Sequence, residues 1–146
     1  MAWKQLLAEK RVALEPTDRS EIQSLRDVAK RGLSDALVSG LSDDGRFGHA
    51  YDAARIFATM VVRASGYRVK TQSGGHHNTF LALRAADPVF AKMAVYLDAC
   101  RRKRNDLLYS QANVVTASQA EDLLARTTAF STEVEVWLKK HYSALA

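Results

Sequence analysis

Apolar residues recur at three- and four-residue spacing along most of the chain, which is the pattern of helices with one buried side. The clearest stretch covers residues 47–62. A second pattern covers residues 22–41; it begins after Asp18, a good capping residue, and ends at the turn-forming residues 42–45. A shorter amphipathic helix is predicted for residues 2–14.

The second half of the chain gives a similar picture. Residues 68–76 contain a Gly-Gly pair without helical spacing and are predicted to be a loop, followed by a short helix over residues 78–86. An Asp-Pro pair opens a long helix over residues 88–111, because proline fits the first helical turn. Ser118 and Glu121 have capping-box spacing and predict the start of a final long helix.

No segment alternates apolar and polar residues long enough to predict a strand, so the expected fold class is all-α. Four or five helices with short connections favour an up-and-down bundle with short extra helices. With 146 residues, 47% of them hydrophobic, one domain over residues 1–146 is expected, with its core at about 18–145.

Several features bear on the compartment. The single cysteine, Cys100, cannot form an intrachain disulfide, and we expect it to be a small buried hydrophobe. No apolar run approaches the ~20 residues that span a bilayer, and the N-terminus lacks the continuous apolar region of a secretory signal. We therefore expect a cytoplasmic protein with no membrane association.

The net charge of +5 points only weakly to an anionic partner, but the cations are concentrated at residues 101–104. On the helix predicted for residues 88–111, Arg104 falls inside the apolar stripe and Arg101 at its edge. Arg102 and Lys103 fall on the other side, where solvation accounts for them.

Two partly buried arginines one turn apart repel each other unless they share an anion, and guanidinium groups match phosphate oxygens in pairs. The spacing therefore predicts phosphate binding by Arg101 and Arg104. Asn105 and Tyr109 follow Arg101 at four-residue steps and form a polar ridge beside Arg104, and Asp98, one turn before Arg101, is placed to orient it.

A second interpretation of the arginines stays open. Their side chains can extend to the end of the bundle and pair with carboxylates such as Asp52, Asp98 or Glu135. In that case the cations are structural.

Three stretches carry a resemblance to a known family: YDAARIFATMVVRASGYR, GGHHNTF and RRKRNDLLY. Together they resemble the small bacterial members of the HEPN superfamily over about residues 43–140. The signature of that superfamily is an arginine, often followed by asparagine, with a histidine a few residues later at the end of the third core helix. Arg104 and Asn105 match the first half of this Arg-x4-6-His motif, whereas Tyr109 occupies the histidine position.

The resemblance implies a metal-independent endoribonuclease that acts as a homodimer, often encoded with an antitoxin or nucleotidyltransferase-type partner in toxin–antitoxin or defence modules. It implies RNA or nucleotide as ligand, no cofactor, and Arg104, Asn105 and Tyr109 as the catalytic positions. A phenol with a pKa of about 10 is a poor base near neutral pH, so Tyr109 is expected to weaken or alter cleavage. The competing hypothesis is a non-catalytic dimeric interaction protein that docks an acidic protein partner.

His76 and His77 are another source of imidazole. They follow the Gly-Gly pair and are candidates for the rim of the arginine site, as an acid–base group or a phosphate contact, or for ordinary loop polarity. No Cys or carboxylate joins them at metal-ligand spacing, so no metal site is predicted.

Overall fold

The computed structural model describes residues 2–72, 74–109 and 114–146, and at positions 108 and 109 it describes the backbone. The helices and strands follow in chain order: α1 Trp3–Ala8, β1 Val12–Leu14, α2 Arg19–Ala36, α3 Asp43–Ala64, β2 Tyr67–Val69, α4 Gly75–Ala86, a 3₁₀ turn Pro88–Phe90, α5 Ala91–Tyr109 and α6 Ala117–His141. The all-α prediction is confirmed, with a small two-stranded sheet added to the bundle.

Helix α3 is the centre of the bundle. It packs most extensively against α2 and α6 and also contacts α4 and α5. Small residues make this possible, since Ala50, Ala53, Ala54 and Ala58 are at most 1% exposed and let the neighbouring helices approach closely. A Cβ on Gly32 of α2 would lie 3.2 Å from the Cβ of Ala53, which shows how close the α2–α3 contact is.

The ends of the helices agree with the sequence patterns in part. Asp18 caps α2 by accepting from the Glu21 backbone N–H, and Asp87 accepts from the Val89 N–H before the 3₁₀ turn. Residues 42–45 do not close α2, which ends at Ala36. Ser42 instead caps α3 by accepting from the Gly45 N–H, so α3 begins four residues earlier than its apolar pattern.

The predicted capping box of α6 was wrong by two residues. Thr116 and Gln119 form it: the Thr116 hydroxyl accepts from the Gln119 N–H while the Gln119 side chain accepts from the Thr116 N–H. Both pairs have the same spacing, and the structure selects the earlier one. The predicted end of α5 near Gln111 falls outside the described residues.

A segment predicted to be helical and a segment predicted to be a loop pair with each other as two short strands. The helix expected over residues 2–14 ends at Ala8, and β1 pairs antiparallel with β2, placing Val12 opposite Val69. Trp3 stacks on Tyr67 with ring centroids 3.9 Å apart. Strands of three residues are too short to show alternation, so their pairing depends on contacts between distant parts of the chain.

Arg63, at the end of α3, connects the sheet to the bundle. Its side chain is buried, donates to the backbone carbonyls of Glu15, Pro16 and Tyr67, and pairs with the Glu21 carboxylate at 2.8 Å. The buried guanidinium is therefore well satisfied, which is the condition under which such a charge stabilises a fold.

Replacing Arg63 with Ala should lower the free energy of unfolding by about 3 kcal/mol, because it leaves three backbone carbonyls and a carboxylate without their donor. Urea denaturation measures this loss. Arg68→Ala is the matched control: Arg68 pairs with Glu15 at 2.9 Å but is 53% exposed, so we expect a loss below about 1 kcal/mol. Equal losses in the two variants would contradict the structural role of Arg63.

None of the described helices combines the length and apolar character that a bilayer crossing requires.

Candidate functional site

Three helices bring polar side chains together beside the first turn of α4. Gly48, Asp52 and Arg55 share one stripe of α3, at spacings of four and three residues, and Arg101 and Arg104 share one stripe of α5. The predicted loop over residues 68–76 instead contains β2 and the start of α4, so His76 and His77 are helical. The contributing side chains are Tyr51, Asp52, Arg55, His76, His77, Asp98, Arg101 and Arg104.

Arg104 is a cation with incomplete pairing. Its Nη2 lies 3.6 Å from the Asp52 Oδ2, which is longer than a hydrogen bond, and its side chain is 24% exposed. The Arg104 Nε is buried and has no hydrogen-bond partner among the described residues. It lies over Gly48, where an added Cβ would be 3.5 Å away, so the guanidinium rests close to the α3 backbone.

Arg55 belongs to the same site and was missed by the sequence analysis. Its Nε is also buried without a hydrogen-bond partner among the described residues. Its charge acts on both Tyr51 and His76. The signal was present in the sequence, since a cation at position 55 lies next to the apolar stripe of the clearest helical pattern, one turn after Tyr51 and Asp52.

Asp98 connects α4 to α5, as an acceptor for donors from both helices. Its Oδ1 accepts from the Arg101 Nε at 2.8 Å and lies 2.9 Å from the His77 Nδ1. Its Oδ2 accepts from the Arg102 Nη1 at 3.2 Å. Partial burial acts to raise the pKa of Asp98, but the hydrogen bonds from Arg101 and His77 outweigh it, so the pKa lies below its ordinary value.

His76 faces α3 rather than α5. Its Nδ1 lies 3.1 Å from the Tyr51 hydroxyl, and the residue as a whole is exposed. Partial burial and then the positive charge of Arg55 lower the pKa of His76, with lesser contributions from Arg101 and Arg104, and together they outweigh the opposing effect of Asp52. The imidazole is therefore neutral near pH 7.

The structure places the other predicted site residues as follows. Asn105 is exposed on α5, and the side chain of Tyr109 lies outside the described part of the structure. Arg102 is 65% exposed, as predicted, but it pairs with Asp98. Lys103 does not point into solvent: its Nζ lies 3.5 Å from the Val114 carbonyl oxygen.

Two further predictions are resolved by contacts away from the site. Cys100 is buried, and burial raises the pKa of its thiol to about 11, so it is the small hydrophobe that was expected. Of the three carboxylates predicted to pair with the arginines of α5, Asp98 pairs with Arg101 and Asp52 approaches Arg104. The third, Glu135, pairs with Arg26 of α2 at 3.0 Å instead.

Within the described residues, no group of three or more His, Cys, Asp or Glu side chains is arranged to hold a metal ion. The polar atoms of the site are mainly nitrogen donors on cations, which suit an anionic ligand.

The molecule is thus a helical bundle with α3 at its centre. Helix α4 contributes two histidines to the site, and helix α5 contributes two arginines. This is the class of HEPN-type bundles. A family model described as SAV_6107-like HEPN matches residues 40–135, and the chain belongs to that family. The matched region contains every side chain of the site described above. No curated protein and no solved structure matches the chain significantly.

The lowered pKa of Asp98 links the site to stability. Ionised Asp98 stabilises the fold above the pKa of an unfolded aspartate, about 3.9, and the stabilisation is lost as the pH falls through the lower folded pKa. Asp98→Asn should therefore lower the free energy of unfolding at pH 7 by about 1–2 kcal/mol. The difference from wild type should shrink as the pH falls below about 4 in urea titrations.

The control is Asp122→Asn. Asp122 is 50% exposed and pairs with Arg126, so its loss should change stability by less than about 1 kcal/mol. A difference between Asp98→Asn and wild type that stays constant with pH would contradict this assignment.

Proposed function

We propose that this protein binds RNA through the phosphate backbone at an arginine cluster formed by Arg55, Arg101 and Arg104. The observation that carries the proposal is that the Nε atoms of Arg55 and Arg104 are buried without hydrogen-bond partners among the described residues. A guanidinium keeps its charge in a protein, and a buried donor without an acceptor costs about 1–3 kcal/mol. An anion that supplies oxygens removes that cost.

A phosphodiester fits this cluster better than a single carboxylate does. The two non-bridging oxygens of a phosphodiester match paired guanidinium donors, and successive phosphates engage successive cations. Arg101 and Arg104 are 23% and 24% exposed, so a ligand can reach them from solvent. Membership of a HEPN family supports an RNA-related role.

The two carboxylates of the site do not neutralise all of the positive charge of its arginines. Asp98 accepts from the Nε of Arg101, whereas the two terminal nitrogens of Arg101 form no hydrogen bond with the described residues. Asp52 approaches Arg104 without a hydrogen bond. The pairing interpretation and the anion interpretation of these arginines are therefore compatible, because pairing orients the cations without saturating them.

Other parts of the proposed function stay predictions. Asn105 and Tyr109 are proposed to extend the phosphate contacts along α5. The resemblance also implies a homodimer, an antitoxin or nucleotidyltransferase-type partner and a role in a toxin–antitoxin or defence module, and these are proposals of the same kind. A cytoplasmic location, expected from the single cysteine and the lack of a long apolar run, is a further proposal.

Replacing Arg104 with Ala should weaken binding of a fluorescent single-stranded RNA by at least about tenfold at low salt, because it removes a desolvated phosphate contact. Arg55→Ala should have a similar effect. Arg104→Lys should recover part of the affinity, since it keeps the charge but loses the planar fork. Fluorescence anisotropy over a range of salt concentrations measures these affinities.

Arg126→Ala is the matched control, because it removes the same charge from an arginine held over the Tyr96 ring, 4.3 Å from its centroid. It should reduce affinity by less than about threefold, because the Arg126 side chain is 54% exposed and its charge is already paired with Asp122. No RNA binding by wild type at low salt, or equal losses in Arg104→Ala and Arg126→Ala, would overturn the proposal. Saturable binding of an acidic polypeptide in place of RNA would support the docking hypothesis instead.

A further inference from the structure

The two adjacent histidines of α4 make Nδ1 contacts of opposite chemistry. His77 faces the Asp98 carboxylate on α5, at 2.9 Å. His76 faces the Tyr51 hydroxyl on α3, at 3.1 Å. A neutral imidazole has one N–H donor and one acceptor nitrogen, and the partner of one nitrogen decides which nitrogen carries the proton.

The partner of His77 can only accept. Asp98 is ionised near neutral pH, because its pKa lies below the ordinary value after hydrogen bonding outweighs burial. In the neutral ring, the His77 Nδ1 must therefore carry the proton, which leaves a lone pair on Nε2. The side chain of His77 is 39% exposed, so that lone pair is accessible to a ligand. Carboxylate–imidazole pairs with this arrangement prepare a histidine to take a proton.

The partner of His76 has to donate. Tyr51 is fully buried, and burial raises the pKa of its phenol well above the ordinary value, so it keeps its proton. Its hydroxyl has the His76 Nδ1 as its hydrogen-bond partner among the described residues. A buried hydroxyl hydrogen needs an acceptor. The His76 Nδ1 therefore accepts, and the proton of the neutral ring is on Nε2.

Arg101 connects His77 to the arginine cluster through their shared carboxylate. Its Nε donates to the same Asp98 oxygen that His77 contacts. Its charge, together with those of Arg55 and Arg104, acts on His76. The acceptor imidazole of His77 is thus joined to the arginine cluster through Asp98 and Arg101, and His76 presents a neutral donor from the neighbouring position of α4.

We propose that His77 is the proton acceptor and His76 the neutral hydrogen-bond donor in cleavage of the bound RNA, so that the base comes from α4 and not from position 109. This rests on the proposed RNA binding. The His77 Nε2 takes the proton of a ribose 2′-hydroxyl, and the 2′ oxygen attacks the adjacent phosphorus. The bond from phosphorus to the 5′ oxygen breaks, giving a 2′,3′-cyclic phosphate and a 5′-hydroxyl end. The leaving 5′ oxygen takes its proton from water, and His77 returns its proton to solvent.

In this reaction the His76 Nε2–H donates to a non-bridging phosphate oxygen as negative charge develops there. Asp98 and Tyr51 are positioning residues that fix the two rings. A DNA strand lacks the 2′-hydroxyl, so it should bind through the arginines and stay intact.

The tautomers can be measured without any activity. Long-range proton–nitrogen NMR on the full chain labelled with ¹⁵N-histidine, with assignment by His76→Gln and His77→Gln, reports which ring nitrogen carries the proton. We expect the proton of His76 on Nε2 and that of His77 on Nδ1 at a pH where both rings are neutral. The same tautomer in both rings would overturn the inference.

The same two variants test the roles in cleavage. A glutamine amide nitrogen lies near the Nε2 position of histidine and can donate but cannot take a proton. His77→Gln should lose at least about a hundredfold in cleavage rate, the usual size of a general-base contribution. His76→Gln should stay within about tenfold of wild type, whereas His76→Ala should fall further because it removes the donor. Folding of each variant is checked by thermal melting, and RNA affinity is measured beside each rate.

The outcomes separate the two proposals. Wild type that binds RNA without cleaving it, or His77→Gln that cleaves like wild type, would overturn this inference and leave the binding proposal intact. Wild type that does not bind RNA would overturn the binding proposal. Cleavage that Tyr109→Phe abolishes and His77→Gln does not would place the base on α5.

Discussion

The central position of α3 is the constraint on which the rest of the molecule depends. Because α2, α4, α5 and α6 all pack against it, most of its surface has to be apolar and small, and its alanines provide that surface. One stripe of α3, with Gly48, Asp52 and Arg55, interrupts this apolar surface and receives Arg104 of α5. The polar groups of α4 and α5 meet α3 there, so the position of the site follows from the packing of the core.

The balance of charges explains how the fold accommodates these arginines and still leaves some of their donors for a ligand. Asp98 compensates Arg101 and Arg102 through short hydrogen bonds, and it also holds His77. Asp52 approaches Arg104 at 3.6 Å without completing a hydrogen bond. Removing a buried guanidinium from water costs several kcal/mol unless acceptors replace the water. The fold tolerates the incomplete pairing because these side chains keep some exposure, and that same exposure gives an anion access.

The sequence predicted the long helices well, because their apolar spacing reports burial directly. It predicted Arg104 inside the apolar stripe and Arg101 at its edge, and both side chains are about one quarter exposed. It failed where structure depends on contacts between distant segments. The strands at Val12–Leu14 and Tyr67–Val69 are defined by each other, and the start of α4 at Gly75 could not be separated from a loop that contains two glycines. Arg55 was missed because a single cation on an apolar helix is usually only a solvated side chain.

The placement of the histidines shows why an adjacent pair can hold two different chemical states. Successive residues on a helix point about 100° apart, so two neighbouring side chains face two different neighbouring elements. In a loop, the sequence alone would not determine the directions of these two side chains. Because α4 begins at Gly75, His76 faces Tyr51 of α3 and His77 faces Asp98 of α5. A phenol and a carboxylate impose opposite demands on an imidazole. One step of the helix therefore separates an imidazole whose Nε2 donates from one whose Nε2 accepts.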